Sequence, residues 1–299
     1  MPSLQQKGYK MLEPTRTNRD IREDLTDFYS IFPEIKQYAN RLILNGNVKS
    51  INYAKKPMVN VKGIAAELGI RSIIKVPDKL IHGKHALLFY FKEKPPIIFL
   101  NMDDDPEERL FSIAHEIFHY ILIKEHTKQM RITYEKIRRW TEQLKSKNMN
   151  PSITENQTNE FKENISSVVA ARENTTTIKE ILRKTSLDRE TFIKFLTNAL
   201  KKEIEAIVED EVADYFAANL IIPVERFILW QYKEEAEIAR AFRVVEKCVQ
   251  KRQMEIKHEL EIMAPKSFSS GINLDEVTPK DSLLNHTPRG ISVHDTERI

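Results

Sequence analysis

The stretch FSIAHEIFHYIL, residues 111–122, places His115, Glu116 and His119 inside an otherwise apolar run. A polar side chain buried without a partner costs about 1–3 kcal/mol, so three of them in one run need a common reason. On an α-helix, residues four apart lie on one face, and both imidazoles can then reach a single ion. Glu116, beside the first histidine, is placed to take a proton from a metal-bound water. The stretch predicts a zinc site with two ligands and a general base, although so short a pattern also occurs by chance in helices without a metal.

The residues before this stretch predict a small sheet. Three short runs rich in β-branched and aromatic residues are SIIKV at 72–76, ALLFYF at 86–91 and PIIFLN at 96–101. The acidic run that ends in Pro106 then favours a helix N-terminus directly after the third strand. Helical spacing dominates elsewhere, so the fold class is α+β, with an antiparallel or mixed three-stranded sheet packed on helices.

Composition limits the function classes. The chain has 299 residues, a formal net charge of +3 and a single cysteine, Cys248, so no disulfide framework exists within one chain. Because the net charge is small, nucleic acid is not expected as a direct ligand. The first 20 residues lack the apolar core of a secretion signal, and no apolar run approaches the roughly 20 residues of a membrane span. We predict a cytoplasmic protein that does not enter a membrane.

Changes in composition along the chain predict its organisation. Residues 1–24 are polar and aperiodic and are expected to be disordered, and residues 265–299 are expected to form a disordered or extended tail. One domain is predicted over 25–264, with a helical insertion at about 125–205. Within this domain, the helical pattern at 191–223 fits one long helix or two, and further helices are predicted at 224–232 and about 234–262.

A catalytic zinc takes three protein ligands, so one more must come from elsewhere in the chain. In VEDEVADYFAANLIIP, residues 208–223, alanines and large apolar residues share one helical face suited to close packing. Asp210 lies near that face and is the first choice for the third ligand, with Glu209 as the alternative. Asp214, one turn later, is expected to accept a hydrogen bond from a ligand histidine and fix its tautomer. The competing interpretation is an ordinary amphipathic helix with solvated acids.

Taken together, RLFSIAHEIFHYIL and EDEVADYFAANLIIP resemble the ImmA/IrrE-type metallopeptidases. The pattern of that family is an Ala-His-Glu-x-x-His helix followed by an acid, x, x, Ala-Asn/Asp, x, Phe-Ala-Ala. The resemblance covers about residues 58–123 and 206–232 and implies a zincin-like helical core. Two departures stand out, because the family usually has glutamate where Asp210 stands, and because Asp210 follows His119 by 210 − 119 = 91 residues instead of a few tens. An inserted helical segment of about 60–80 residues explains the second departure at little cost in loop entropy.

The resemblance implies a zinc-dependent endopeptidase with one ion, held by His115, His119 and Asp210, and with Glu116 as the base. It also implies a regulatory role, in which a protein substrate such as a helix-turn-helix repressor is cleaved in a stress response or in mobile-element induction. His82, next to Gly83 in a loop, would then face the cleft and stabilise an oxyanion, unless it is simply a solvent-exposed histidine.

Two other classes of function remain open. A non-catalytic binding module would keep the metal for structure alone. A transcription regulator is suggested by GIAAELGI, residues 63–70, which looks like the first helix of a helix-turn-helix. The run that follows it, RSIIKV, predicts a strand instead of the second helix that such a motif needs.

Overall fold

The computed structural model describes residues 25, 27–46, 57–90, 94–125, 130–147, 152–172 and 175–263. The predicted disordered segments 1–24 and 265–299 lie outside these ranges. The chain divides into a compact unit up to Gln253 and a second unit that begins at Met254.

The described residues form three strands and a larger set of helices. The strands are β1 Ser72–Val76, β2 Ala86–Phe89 and β3 Ile97–Asn101. Short 3-10 turns occur at Phe28–Ile31 and Asp78–Leu80. The α-helices are α1 Phe32–Gly46, α2 Val61–Glu67, α3 Pro106–Glu125, α4 Arg131–Ser146, α5 Glu155–Arg172, α6 Thr176–Thr185, α7 Arg189–Glu205, α8 Ile207–Ile221, α9 Val224–Phe227, α10 Glu235–Phe242 and α11 Glu246–Met263.

The three strands form one mixed sheet in the order β1-β3-β2. Strand β1 runs parallel to β3, with Ser72 opposite Ile97, and β2 runs antiparallel to β3, with Ala86 opposite Leu100. The predicted α+β class is confirmed, and the sheet is the mixed form of the two that the sequence allowed.

The turn from β3 into α3 is fixed by polar contacts at its start. Asn101, the last residue of β3, accepts a hydrogen bond from the Asp103 N–H at 3.0 Å. Pro106 then occupies the first helical position, where no backbone N–H is needed. Glu108 accepts from the Asp105 N–H at 3.4 Å in the manner of a capping box. These contacts therefore fix the direction in which helix α3, with His115 and His119, leaves the central strand of the sheet.

Helix α8 packs on α3 through small and aromatic side chains. Ala213 and Ala217 are fully buried, and their small size lets the two helix axes approach closely. Phe118 and Phe216 meet across the contact with ring centroids 5.3 Å apart. Glu211, on the far side of α8, is also buried, with 2% of its surface exposed. The helix is buried around most of its circumference, so the interpretation of α8 as an amphipathic helix with solvated acids is wrong.

The helices of the predicted insertion cover one face of the sheet. Phe192 of α7 lies 5.8 Å from Phe89 of β2 and 6.4 Å from Phe99 of β3, measured between ring centroids. Phe161 of α5 belongs to the same buried cluster. Helix α4 instead packs near the start of α1, where Trp140 lies 5.3 Å from Phe28. Helices α5, α6 and α7 of this segment therefore share one buried cluster with the sheet.

The structure decides one helix boundary that the sequence left open and corrects another. The pattern at 191–223 forms two helices, α7 and α8, separated at Ala206 with φ −92° and ψ 33°. The single helix predicted at about 234–262 is wrong, because α10 ends at Phe242 and the next residue, Arg243, is in the left-handed region with φ 57°. In the sequence, Ile238, Phe242, Val245 and Val249 keep a helical spacing across this break, so periodicity cannot reveal one left-handed residue.

The predicted helix at 224–232 is shorter than expected, because α9 ends at Phe227 and the chain continues in turns. In the part of the chain that the structure describes, no helix combines the length and the apolar character needed to cross a bilayer.

Substitution of Phe192 by alanine tests the role of the inserted helices in the core. We expect the free energy of unfolding to fall by about 3–5 kcal/mol, because the change opens a cavity between α7 and the sheet. Denaturant unfolding followed by circular dichroism measures the effect. Phe195→Ala on the same helix is the control, because Phe195 is 36% exposed, and it should cost less than about 1 kcal/mol. Equal small effects of both changes would show that the inserted helices are peripheral.

Candidate metal centre

The two histidines of α3 point into one place, as their spacing predicts. The Nε2 atoms of His115 and His119 lie 3.0 Å apart. His119 is 6% exposed, and the His115 side chain is 16% exposed. Both rings are therefore largely shielded from water.

Each imidazole is held from behind by a carboxylate of α8. Nδ1 of His115 lies 2.9 Å from Oδ1 of Asp214, and Nδ1 of His119 lies 2.6 Å from Oε1 of Glu209. An ionised carboxylate only accepts hydrogen bonds, so each Nδ1 carries the hydrogen and donates it. Each Nε2 is then left with a lone pair that points toward the other ring. This is the tautomer that a metal ligand needs.

Asp210 brings a third lone pair to the same place. Its Oδ1 lies 3.4 Å from Nε2 of His119 and 3.8 Å from Nε2 of His115. This oxygen is buried and accepts no hydrogen bond of good geometry from the residues that the structure describes. The other carboxylate oxygen, Oδ2, lies 3.9 Å from Nζ of Lys84.

The separations among these three acceptor atoms fit a divalent cation. Tetrahedral zinc with ligands at about 2.0–2.1 Å places those ligands about 3.3–3.4 Å from one another. The observed separations of 3.0, 3.4 and 3.8 Å lie on both sides of that value. Three converging lone pairs repel one another unless a positive charge lies between them. His115, His119 and Asp210 are therefore the residues that would hold the ion, and their nitrogen and oxygen donors suit zinc.

The electrostatics of the metal-free protein point to the same requirement. Burial lowers the pKa of His115, but the nearby carboxylate of Asp210 and the hydrogen bond to Asp214 raise it overall to about 10. Burial likewise raises the pKa of Asp210, yet the two imidazoles hold it well below its usual range. The site thus attracts positive charge, which a proton supplies in the absence of a cation.

Asp214 is supported in turn by a lysine from α11. Lys251 Nζ lies 3.0 Å from Oδ2 of Asp214, while Oδ1 of the same carboxylate faces His115. Burial raises the pKa of Asp214, but its hydrogen bonds with His115 and Lys251 lower it overall to about 2. Asp214 is therefore ionised and oriented at neutral pH. Sequence reasoning missed Lys251, because no local pattern distinguishes this lysine from its charged neighbours in α11.

The structure distinguishes the two candidate acids of α8. Asp210 faces the Nε2 atoms, whereas Glu209 faces Nδ1 of His119 and is occupied in orienting that ring. Asp210 is thus the better placed third ligand. Glu209 and Asp214 have equivalent roles, because each accepts a hydrogen bond from Nδ1 of one histidine. Glu116 follows His115 in the same turn and is buried, with 1% of its surface exposed.

His82 lies outside this group of contacts. Its ring packs edge to face on Phe161 of α5, with centroids 4.3 Å apart. Among the described residues, the structure gives it no contact with the two imidazoles. Its neighbour His85 is largely exposed and lies 3.0 Å from Asp104.

A mixed sheet that leads into a helix with two imidazoles, completed by an acid from a later helix, defines a domain of the metallopeptidase type. Residues 67–161 match the model of the peptidase family M78, described as an IrrE N-terminal-like domain. This result confirms the resemblance to the ImmA/IrrE-type family. The matched segment contains His115, Glu116 and His119, while Asp210 and Asp214 lie beyond its end.

No curated protein and no solved structure matches the chain.

Substitutions at the three acids of α8 test their separate parts in metal binding. We expect Asp210→Ala to weaken zinc affinity most, because it removes a ligand. Glu209→Gln and Asp214→Asn should each weaken it by about 10–100-fold, because they only release a ligand ring from its orientation. Competition with a chromophoric chelator measures the three affinities. A larger loss in Glu209→Gln than in Asp210→Ala would make Glu209 the ligand instead.

Proposed function

We propose that the protein is a zinc-dependent endopeptidase of the ImmA/IrrE type. One observation carries the proposal, namely the convergence of His115 Nε2, His119 Nε2 and Asp210 Oδ1. Glu116, which follows His115 in the same helix, is buried. The domain that contains three of these four residues is of a peptidase family, which supports hydrolysis of a peptide bond as the reaction.

The chain's own residues supply binding, orientation and proton transfer. When bound, a divalent cation polarises the scissile carbonyl and lowers the pKa of water. His115, His119 and Asp210 hold it, and Asp214 and Glu209 keep the two rings in the required tautomer. Glu116 accepts the proton of the attacking water and passes it to the leaving nitrogen.

Strand β2 is the proposed guide for the substrate backbone. The Asn101 N–H donates to the His85 carbonyl at 2.9 Å, which sets the alternation of hydrogen-bonded pairs between β2 and β3. With this alternation, Leu87 and Phe89 bond inward to β3, and the N–H and C=O of Leu88 point to the outer edge of the sheet. An extended peptide can add to this edge as a further strand. Leu88 also lines a cavity that reaches His119, so a peptide on this edge would pass the site.

The regulatory role is proposed from the resemblance to the family. The target would be a helix-turn-helix repressor, cleaved in a stress response or during induction of a mobile element. Co-expression with the product of the neighbouring gene, followed by mass measurement of the fragments, tests this target. An intact neighbour beside a protein that cuts other substrates would exclude the proposed target and leave the peptidase proposal standing.

The alternative of a helix-turn-helix regulator is not favoured. Helix α2 ends at a left-handed glycine, Gly69 with φ +99°, and the chain continues into β1 instead of a second helix. The described residues 57–90 therefore hold no DNA-reading helix pair. The other alternative, a binding module with a structural metal, differs from the peptidase only in the role of Glu116.

Replacement of Glu116 by glutamine separates the peptidase from that module. We expect cleavage of a protein substrate to fall by about 10²–10⁴-fold, because glutamine cannot accept the proton of the attacking water. Zinc content should stay at one ion per chain, because all three ligands remain. Elemental analysis and a gel-based cleavage assay give the two readouts.

Glu107→Gln is the matched control for this experiment, since Glu107 lies on the same helix and outside the candidate centre. It should leave both zinc content and cleavage unchanged. If Glu116→Gln cleaves as fast as the wild type, the proposed mechanism is wrong.

A further inference from the structure

A cavity of ≈ 240 Å³ opens beside the candidate metal centre. His119 and Glu209 form its inner end, where the ring of His119 is hydrogen bonded. Strand β2 lines one side, with Leu88 and the residues next to it, and helix α7 lines the opposite side. The volume is below the roughly 300–1,000 Å³ of sites for drug-sized ligands, so it suits a single side chain.

Helix α7 has two functional faces. Phe192, Leu196 and Leu200 are fully buried against the sheet. A second set at i, i+3, i+4 and i+7, which places its members on one face, lines the cavity. This set consists of Phe195, Asn198, Ala199 and Lys202. The same helix therefore completes the core and forms a wall beside the candidate centre, and it lies outside the segment that matches the peptidase family.

We propose that this cavity is a specificity pocket that holds one apolar side chain of the substrate, of leucine, methionine or phenylalanine size, next to the bond to be cut. The proposal rests on the proposed peptidase function. It extends that function by naming a substrate class and by giving α7, within the predicted insertion, a part in selecting it.

The lining of the cavity favours an apolar occupant. Most of the side chains that line it are apolar, among them Leu88, Phe89, Ile123 and Ala199. Burial of an apolar side chain gains about 25 cal/mol per Å² removed from water. An amide or hydroxyl placed there would lose its water without a matching set of partners. Asn198 on α7 is the one amide side chain among the described residues that line the cavity.

The charges at the two ends argue against a basic occupant. Lys202 lies at the mouth on α7, and the structure shows no ion pair of its ammonium group with any described residue. Glu209, at the inner end, is already engaged by His119. A lysine or arginine of the substrate would therefore meet a like charge at the entrance and would compete with His119 for Glu209 inside. An acidic side chain that pairs with Lys202 is the rival occupant to be tested.

Ala199 is the position at which the size of the pocket can be changed. It is partly buried and lies in the middle of the α7 wall, where a larger side chain would project into the cavity. Ala199→Phe reduces the space in the cavity and leaves the identities of His115, His119 and Asp210 unchanged. Lys194→Phe is the matched control, because it adds the same ring to the exposed side of the same helix.

The first test measures binding separately from hydrolysis. Zinc-loaded Glu116→Gln protein is titrated with fluorescent peptides that differ at one position, which is leucine, phenylalanine, alanine, glutamate or lysine. We expect the leucine and phenylalanine peptides to bind at least about 10-fold more tightly than the alanine and lysine peptides. Adding Ala199→Phe should abolish this preference, whereas Lys194→Phe should keep it.

The second test measures cleavage by the otherwise unchanged protein. Digestion of a peptide library, read by mass spectrometry, should show leucine, methionine and phenylalanine enriched at one position beside the cut. Ala199→Phe should shift this position toward alanine and glycine, whereas Lys194→Phe should keep the preference for large apolar residues.

The outcomes separate this proposal from the function on which it rests. Selective binding with no cleavage by the wild type would support the pocket and overturn the peptidase. Cleavage without an apolar preference, or with a preference unchanged by Ala199→Phe, would overturn the pocket and leave the peptidase standing. A preference for glutamate that Lys202→Gln removes would assign the cavity to an acidic side chain and overturn the proposal.

Discussion

The packing of α8 on α3 brings a carboxylate to two imidazoles across 91 residues of chain, from His119 to Asp210. Buried alanines on α8 make the close approach possible, and two further acids of the same helix hold the rings from behind. Three lone pairs then point at one position, where they are unfavourable without a positive charge. The sheet, the start of α3 and the inserted helices all keep this contact in place.

The sequence predicted the elements whose chemistry is local. The spacing of His115 and His119 sets the face of one helix, and the strand runs before it have a clear composition, so α3 and the sheet follow from short-range rules. Asp214 was predicted as the partner of a ligand histidine. It lies four residues after Asp210, the predicted ligand, and residues at i and i+4 share one face of a helix. Its contact with His115 at 2.9 Å agrees with this expectation.

Features that depend on tertiary packing were beyond the sequence. Lys251 supports Asp214 from a helix that no pattern connects to the site. Glu209 and Asp210 are adjacent in α8, and only the arrangement of both helices shows that the first faces an Nδ1 and the second faces two Nε2 atoms. The left-handed Arg243 interrupts an unbroken apolar period, because backbone conformation at one residue leaves no trace in periodicity.

A single residue, Ala206, separates α7 from α8. The helix that walls the cavity and the helix that supplies Asp210 therefore share one short joint. A displacement of α7 would therefore act on the first turn of α8, which contains Glu209 and Asp210. Coupling between two ligands is reciprocal. If a peptide bound in the cavity changes the affinity for the cation by some factor, the cation changes the affinity for the peptide by the same factor. Metal binding and peptide binding would then be coupled through the backbone conformation of Ala206.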